Sequence, residues 1–326
     1  MSSEKVKVYL DKYFLIIMAL FVIIISLFIK NSYFYHILIL GGIYSILAIG
    51  LNILTGYCGQ INLGIAGFYA IGAYAGALGN LRLGLNFWWC ILFAIVITGI
   101  FGFLIGFPAL KVKGGVYLVL VTFGFAQIVQ VVLFQWISLT RGPMGLVGIE
   151  SPQIGTFTFF LPQHWFYLIY AFTILVVFIA GRIVDSRIGR SFIAIRESDS
   201  AAQSIGISLT FYKVLAMVIT SVFAGIAGVL YAFYMSVVSP DAFDFNLSVL
   251  VLMMIVIGGL SSIPGCILGA LAMVIIPEFL RKYGQFQMVL YALGIILIVT
   301  YLPNGILGLG ISIRQLFAKF INSDKH

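Results

Sequence analysis

Residues able to carry chemistry are few in this chain, and their spacing excludes more than it allows. Three histidines, His36, His164 and His326, lie far apart with no partners in sequence. Cys58, Cys90 and Cys266 sit in or beside apolar runs at spacings that suit neither a metal nor a disulfide framework, so inert buried thiols are expected. No G-x4-G-K-[ST] run is present, so the usual backbone cradle for nucleotide phosphates is missing. None of the ten carboxylates falls in the middle of an apolar run. Glu278 comes nearest, and Arg281 three residues later gives it the spacing of a solvated helical pair. A proton-coupled carrier places ionisable groups inside the membrane, and none is offered here. A sodium site made of backbone carbonyls leaves no such trace and stays open. No catalytic arrangement is read, so no enzyme, metal or cofactor is expected.

Two polar stretches remain. The longer spans residues 182–211 and holds Asp185, Arg187, Gly189, Arg190, Arg196, Glu197, Asp199, Ala201, Ala202 and Gly206. Ile188, Phe192 and Ile195 recur at helical spacing and predict one apolar face. A second short helix follows: Ser198 suits the N-cap, Asp199 the positive end of the dipole, and Gly206 a left-handed close. Such an element docks on a partner, packs on its own bundle, or lies on headgroups. Two acidic residues fit an anionic leaflet poorly, and the helix-in-groove mode is one way such a face is used. The other stretch holds Gly56, Gly59, Gln60, Asn62 and Gly64. Its amides and exposed backbone suit a substrate pathway, and equally a turn with a tight helix contact.

The elements that must position these stretches are membrane helices. The chain has 326 residues, 62% hydrophobic and only 9% charged, where a soluble domain carries about 25% charged. Crossing the hydrocarbon core takes about 20 apolar residues. Ten stretches qualify, at 13–29, 34–54, 61–81, 87–107, 115–136, 164–183, 212–238, 247–260, 263–279 and 286–301. The eighth and ninth are short and separated by Leu260-Ser261-Ser262-Ile263-Pro264-Gly265, which also permits a partly re-entrant path. The first resembles a secretion signal but lacks a small-x-small cleavage site, and reads as an uncleaved span.

The net charge of +8 resides in the gaps, which makes it a topology signal and not a nucleic-acid footprint. With both termini inside, the inner gaps carry 13 basic residues and the outer gaps 5, in accord with the positive-inside rule. One membrane domain, 1–326, is expected, with an inner loop at about 182–211 and an outer loop at about 137–163. Gly72-x3-Gly76, Gly102-x3-Gly106 and Gly265-x3-Gly269 predict close helix contacts within a packed body.

Several stretches carry a family resemblance. Ala201-Ala202-Gln203-Ser204-Ile205-Gly206 is similar to the Glu-Ala-Ala-x3-Gly signature of ATP-binding-cassette importer permeases, with Ser200 in the Glu position. Gly189-Arg190-Ser191-Phe192-Ile193-Ala194-Ile195-Arg196-Glu197 resembles the branched-chain amino acid permease family. So do Thr55-Gly56-Tyr57-Cys58-Gly59-Gln60-Ile61-Asn62-Leu63-Gly64, Thr140-Arg141-Gly142-Pro143-Met144-Gly145-Leu146, Phe223-Ala224-Gly225-Ile226-Ala227-Gly228 and Gly258-Gly259-Leu260. They cover roughly residues 40 to 310, and two of the loops resemble the longer of the family's paired subunits. Asn62 and Arg141 depart from the Ser and Gly more usual there.

The resemblance implies an all-α membrane bundle like the vitamin B12 importer, in a prokaryotic cytoplasmic membrane. It implies import of leucine, isoleucine or valine. A second permease, two cytoplasmic ATPases and an external binding protein would be the partners. Gly189, Arg190, Ala194, Ile195, Arg196, Glu197, Asp199, Ala201, Ala202 and Gly206 would form the ATPase contact. The outer loop would meet the binding protein. A urea or short-amide permease of the same class, a carrier working without ATP, and a non-transporting scaffold are the other readings.

Overall fold

The computed structural model describes residues 18, 20, 22–26, 31–109, 115–154, 157–301 and 305. Its helices are α1 (Ser32–Asn52), α2 (Ile65–Leu83), α3 (Phe87–Ala109), α4 (Gly115–Gln135), α5 (Pro162–Asp185), α6 (Arg187–Glu197), α7 (Asp199–Ser204), α8 (Leu209–Met235), α9 (Phe245–Gly258), α10 (Ile263–Leu280) and α11 (Gln287–Tyr301). Four two-residue strands, β1 (Leu146–Val147), β2 (Gln153–Ile154), β3 (Phe157–Thr158) and β4 (Val237–Val238), lie in the loops. Asn31 starts α1 by accepting the Tyr33 N–H at 3.0 Å. A wider π turn, Ile53–Tyr57, ends that segment.

Among the described residues, six segments are long and apolar enough to cross a membrane: Ser32–Tyr57, Phe87–Pro108, Tyr117–Gln135, Pro162–Asp185, Leu209–Met235 and Ile263–Phe286. They match six of the ten expected spans. The other four differ for separate reasons. The expected span at 13–29 lies largely outside the described residues. α2 has 19 residues but is rich in Gly, Ala and Tyr, and it is mostly buried, so its surroundings are protein and not lipid. α9 has 14 residues, fewer than the roughly 20 a helix needs to cross by itself, and α11 has 15 up to Tyr301, where the described residues break off.

α8 is the central helix, packed along α1, α2 and α3, while α1 also meets α5 and α10. Glycine makes these approaches possible. A Cβ at Gly72 would stand 2.5 Å from Gly225 Cα, and one at Gly76 would stand 3.0 Å from Val229, both on α8. Gly102 and Gly106 meet Ser221 and Met217 of the same helix, and Gly265 and Gly269 meet Gly258 and Met254 of α9. Each expected glycine pair therefore faces one neighbouring helix of the same chain. In lipid, where apolar surface gives little drive to associate, such van der Waals contact holds helices together.

The loops collect at two ends. At one end, the α1–α2, α5–α8 and α9–α10 connections touch through Gly56, Arg196 and Ser261. At the other, Arg82 donates to the Ser138 carbonyl, the Glu150 N–H donates to Asn80, and β1 pairs antiparallel with β4. β2 and β3 form a second small hairpin there. Arg141 adopts φ 61°, the left-handed conformation in which glycine is at home, which fits the family's usual Gly at this position.

The segment after α8 departs from expectation. The chain turns at Ser236 (φ 56°), pairs β4, makes one turn at Pro240–Phe243 and begins α9 inside the body. The Phe245 ring lies 5.0 Å from Phe123, and the Ala66 N–H donates to Ser248 Oγ at 3.1 Å. Phe123 is eight residues into α4 and twelve from its end, so α9 begins level with a point about 18 Å from the Gln135 end of that helix. The shortness of the eighth apolar run thus reflects a helix that starts mid-body. Asp244, assigned from sequence to an outer gap, caps this start by accepting the Leu247 N–H at 3.0 Å.

Candidate functional site

Residues 186–206 form two helices locked from within. Ser186 breaks away from α5 and caps α6, its Oγ accepting the Ile188 N–H at 3.0 Å. Ser198 caps α7 by accepting the Ala201 N–H at 3.3 Å, and Gly206 closes it at φ 85°. Phe192, 0% exposed, and Ile195 anchor α6, with the half-buried Ile188 beside them. The element then divides into two faces. Gly189, Ile195 and Ala202 are buried, and Ala194 is half-buried. Arg190, Arg196, Glu197, Asp199, Ala201 and Gly206 are exposed, and Ile205 between them is 74% exposed. Gly189 is required because any Cβ would strike the Val184 carbonyl at the α5–α6 bend.

Three contacts tie this element to the body. Lys213 Nζ, nearly buried on α8, pairs with Asp199 Oδ2 at 2.7 Å. Arg196 Nη1 donates to the Gly56 carbonyl at 3.0 Å and to Ser261 Oγ, while Nη2 meets Glu197 at 3.2 Å. Ser261, held at φ 58°, donates its hydroxyl to the same Gly56 carbonyl at 2.7 Å and its N–H to Asn52 Oδ1 at 3.0 Å. Asn52 is buried and also reaches the Ser262 carbonyl at 3.4 Å. One polar joint therefore links α6, the end of α1 and the α9–α10 turn. Beside it, burial pushes the Cys58 thiol up to about 12; Lys213 opposes the shift and Asp199 adds to it.

The full chain was compared with known proteins. Residues 33–302 match the family model of the branched-chain amino acid transport system permease component. The permease protein LivM of Salmonella typhimurium is 36% identical, over 81% of this chain and 68% of the relative. LivM of Escherichia coli is 35% identical over the same shares. LivH of Escherichia coli, named as a permease of the same kind of system, is 27% identical over 82% of this chain and 92% of LivH. No solved structure matches the chain. The chain belongs to the branched-chain amino acid transport permease family. It is thus a multi-pass membrane protein and a transport permease subunit, more similar to LivM than to LivH.

In this permease the two sequence-derived residue groups meet, because Arg196 lies across Gly59 and bonds Gly56. In the segment at 56–64, Gly59 and Ile61 are exposed and Gln60 and Leu63 half-buried, whereas Gly56, Asn62 and Gly64 are buried. Asn62 is 0% exposed, its Oδ1 accepts the Gly64 N–H at 2.6 Å, and its Nδ2 faces Met217 Sδ. Gly64 is closed by the Thr122 carbonyl, and Gly56 by Asn52 and the Ser261 N–H. Gln60 is half-buried, with its carbonyl held by Thr55 Oγ1 at 3.1 Å. Gly56 and Gly64 thus lie in close contact with their neighbours, and Gly59 and Gln60 lie nearer the surface. Asn52, Ser261 and Lys213 complete the joint, and no local pattern marks them, since their partners lie 14 to 210 residues away.

Proposed function

We propose that this permease subunit imports leucine, isoleucine and valine in an ATP-driven complex of a prokaryotic cytoplasmic membrane. A second permease pairs with it, two cytoplasmic ATPases drive it, and an external binding protein delivers substrate to the loop at 137–163. Ten crossings with both termini inside, in a bundle like the vitamin B12 importer, complete the arrangement. The observation that carries the reading is the α6–α7 element. Its exposed face, from Arg196 to Gly206, is displayed beside the ends of three body segments, and its buried face is firmly held. A partner pushing on this face moves the end of α1 and the α9–α10 turn together. Arg190, Glu197, Asp199, Ala201 and Gly206 contact the ATPase in this account. Gly189, Ala194, Ile195 and Ala202 seat the element, and Arg196 transmits the push.

The test is purification of the tagged chain from its native membrane in mild detergent, with co-purifying proteins identified by mass spectrometry. A second permease and two phosphate-loop ATPases are expected. Recovery of the chain alone after mild crosslinking would refute the complex.

A further inference from the structure

A carboxylate and an amide in the middle of a membrane body need a reason. Asp244 is half-buried and Asn246 exposed, both at the start of α9. That start lies level with a point about 18 Å from the Gln135 end of α4. Hydrocarbon offers no hydrogen-bond partner, so polar groups at this depth face a water-filled cavity or protein. Asp244 Oδ1 accepts the Leu247 N–H and Oδ2 accepts Asn246 Nδ2 at 2.5 Å. These bonds account for its position as a cap. They leave its charge without a cation, since no ion pair among the described residues includes it.

Hydroxyls gather at the same place. Tyr231, half-buried on α8, has its ring 5.9 Å from Phe243, the residue before Asp244. Tyr69 stands behind them, its ring 5.5 Å from Tyr231 and 5.2 Å from Phe243. It is 1% exposed, and its hydroxyl has no hydrogen-bond partner. Nearly all buried hydroxyls are paired, so an orphan here marks an unmade bond. The unpaired charge and the unmade bond are separate observations that point to one missing polar ligand.

We infer that Tyr69, Tyr231, Asp244 and Asn246 form a polar station on the transport passage, where Asp244 receives the ammonium group of an amino acid and the hydroxyls solvate its polar end. The inference rests on the transport reading above.

The test uses the assembled complex in proteoliposomes, with radiolabelled leucine, ATP and the binding protein. Asp244→Asn keeps a good cap while removing the charge. Tyr69→Phe removes a hydroxyl that makes no bond in this structure. Asp244→Asn is expected to lower leucine uptake at least tenfold, with stimulated ATP hydrolysis within twofold of wild type. Tyr69→Phe is expected to lower uptake severalfold while thermal stability holds or rises, whereas an idle hydroxyl would leave uptake unchanged. Uptake within twofold of wild type in both variants overturns the station. So does lost assembly in Asp244→Asn together with normal uptake in Tyr69→Phe, which would leave Asp244 as a cap alone. A wild-type complex that hydrolyses ATP yet takes up no branched-chain amino acid overturns the transport reading, and the station with it.

Discussion

Arg196 shows how one side chain serves two purposes. Its guanidinium bonds the Gly56 carbonyl and Ser261, yet the residue lies on the exposed face of α6. Hydrogen bonds from a charged donor contribute about 1.5–3 kcal/mol, so Arg196→Ala is expected to loosen the joint without unfolding the body. The measurable outcome is uptake reduced more than tenfold beside retained ATP hydrolysis. Cys58 reports the same event. A thiol pushed up to about 12 is almost wholly protonated at pH 8, and the thiolate is the reactive form. A polar maleimide should label Cys58 much more slowly than an exposed cysteine, and faster once Arg196→Ala opens the joint; equal rates in both proteins would mean that the joint does not cover Cys58. Asp199 differs again, because it neutralises a nearly buried ammonium. Asp199→Ala is expected to cost about 1–3 kcal/mol, read as a lower melting temperature, and an unchanged melting temperature would discount the pair. Ser198, Gly206 and the Phe192 face were readable because their logic is local. Asn52 and Ser261 were not, because their bond joins residues 209 apart.

At the scale of elements, a helix lined by protein need not carry the apolar bulk of one that faces lipid. α2 is the example: its partners are α8, α3 and α4, so small residues replace apolar bulk. Its packing gives a sharp expectation. Gly72→Leu would drive a side chain into the Gly225 backbone, whereas a Cβ at Gly124 meets nothing within 4 Å. Overpacking costs about 1–3 kcal/mol where neighbours can shift, and more against rigid backbone. Gly72→Leu should therefore abolish monodisperse material in gel filtration, while Gly124→Ala elutes as wild type. Normal elution of Gly72→Leu would contradict the tight α2–α8 contact. α9 was legible as short, but its mid-body start was not. The apolar run gives a length, and only the ring contact of Phe245 with Phe123 gives a depth.

At the scale of the molecule, the chain combines a glycine-packed body, a two-helix element at one end and a loop cluster at the other, with no phosphate loop of its own. The class followed from the order of several motifs along nearly the whole chain. The account depends on energy arriving from outside through α6 and α7. Leucine uptake into proteoliposomes that contain the assembled complex, measured with and without ATP, tests this most directly. Accumulation that requires ATP, and that disappears in Arg196→Ala while hydrolysis continues, is the predicted result. Accumulation by the purified chain alone, driven by an ion gradient, would contradict it.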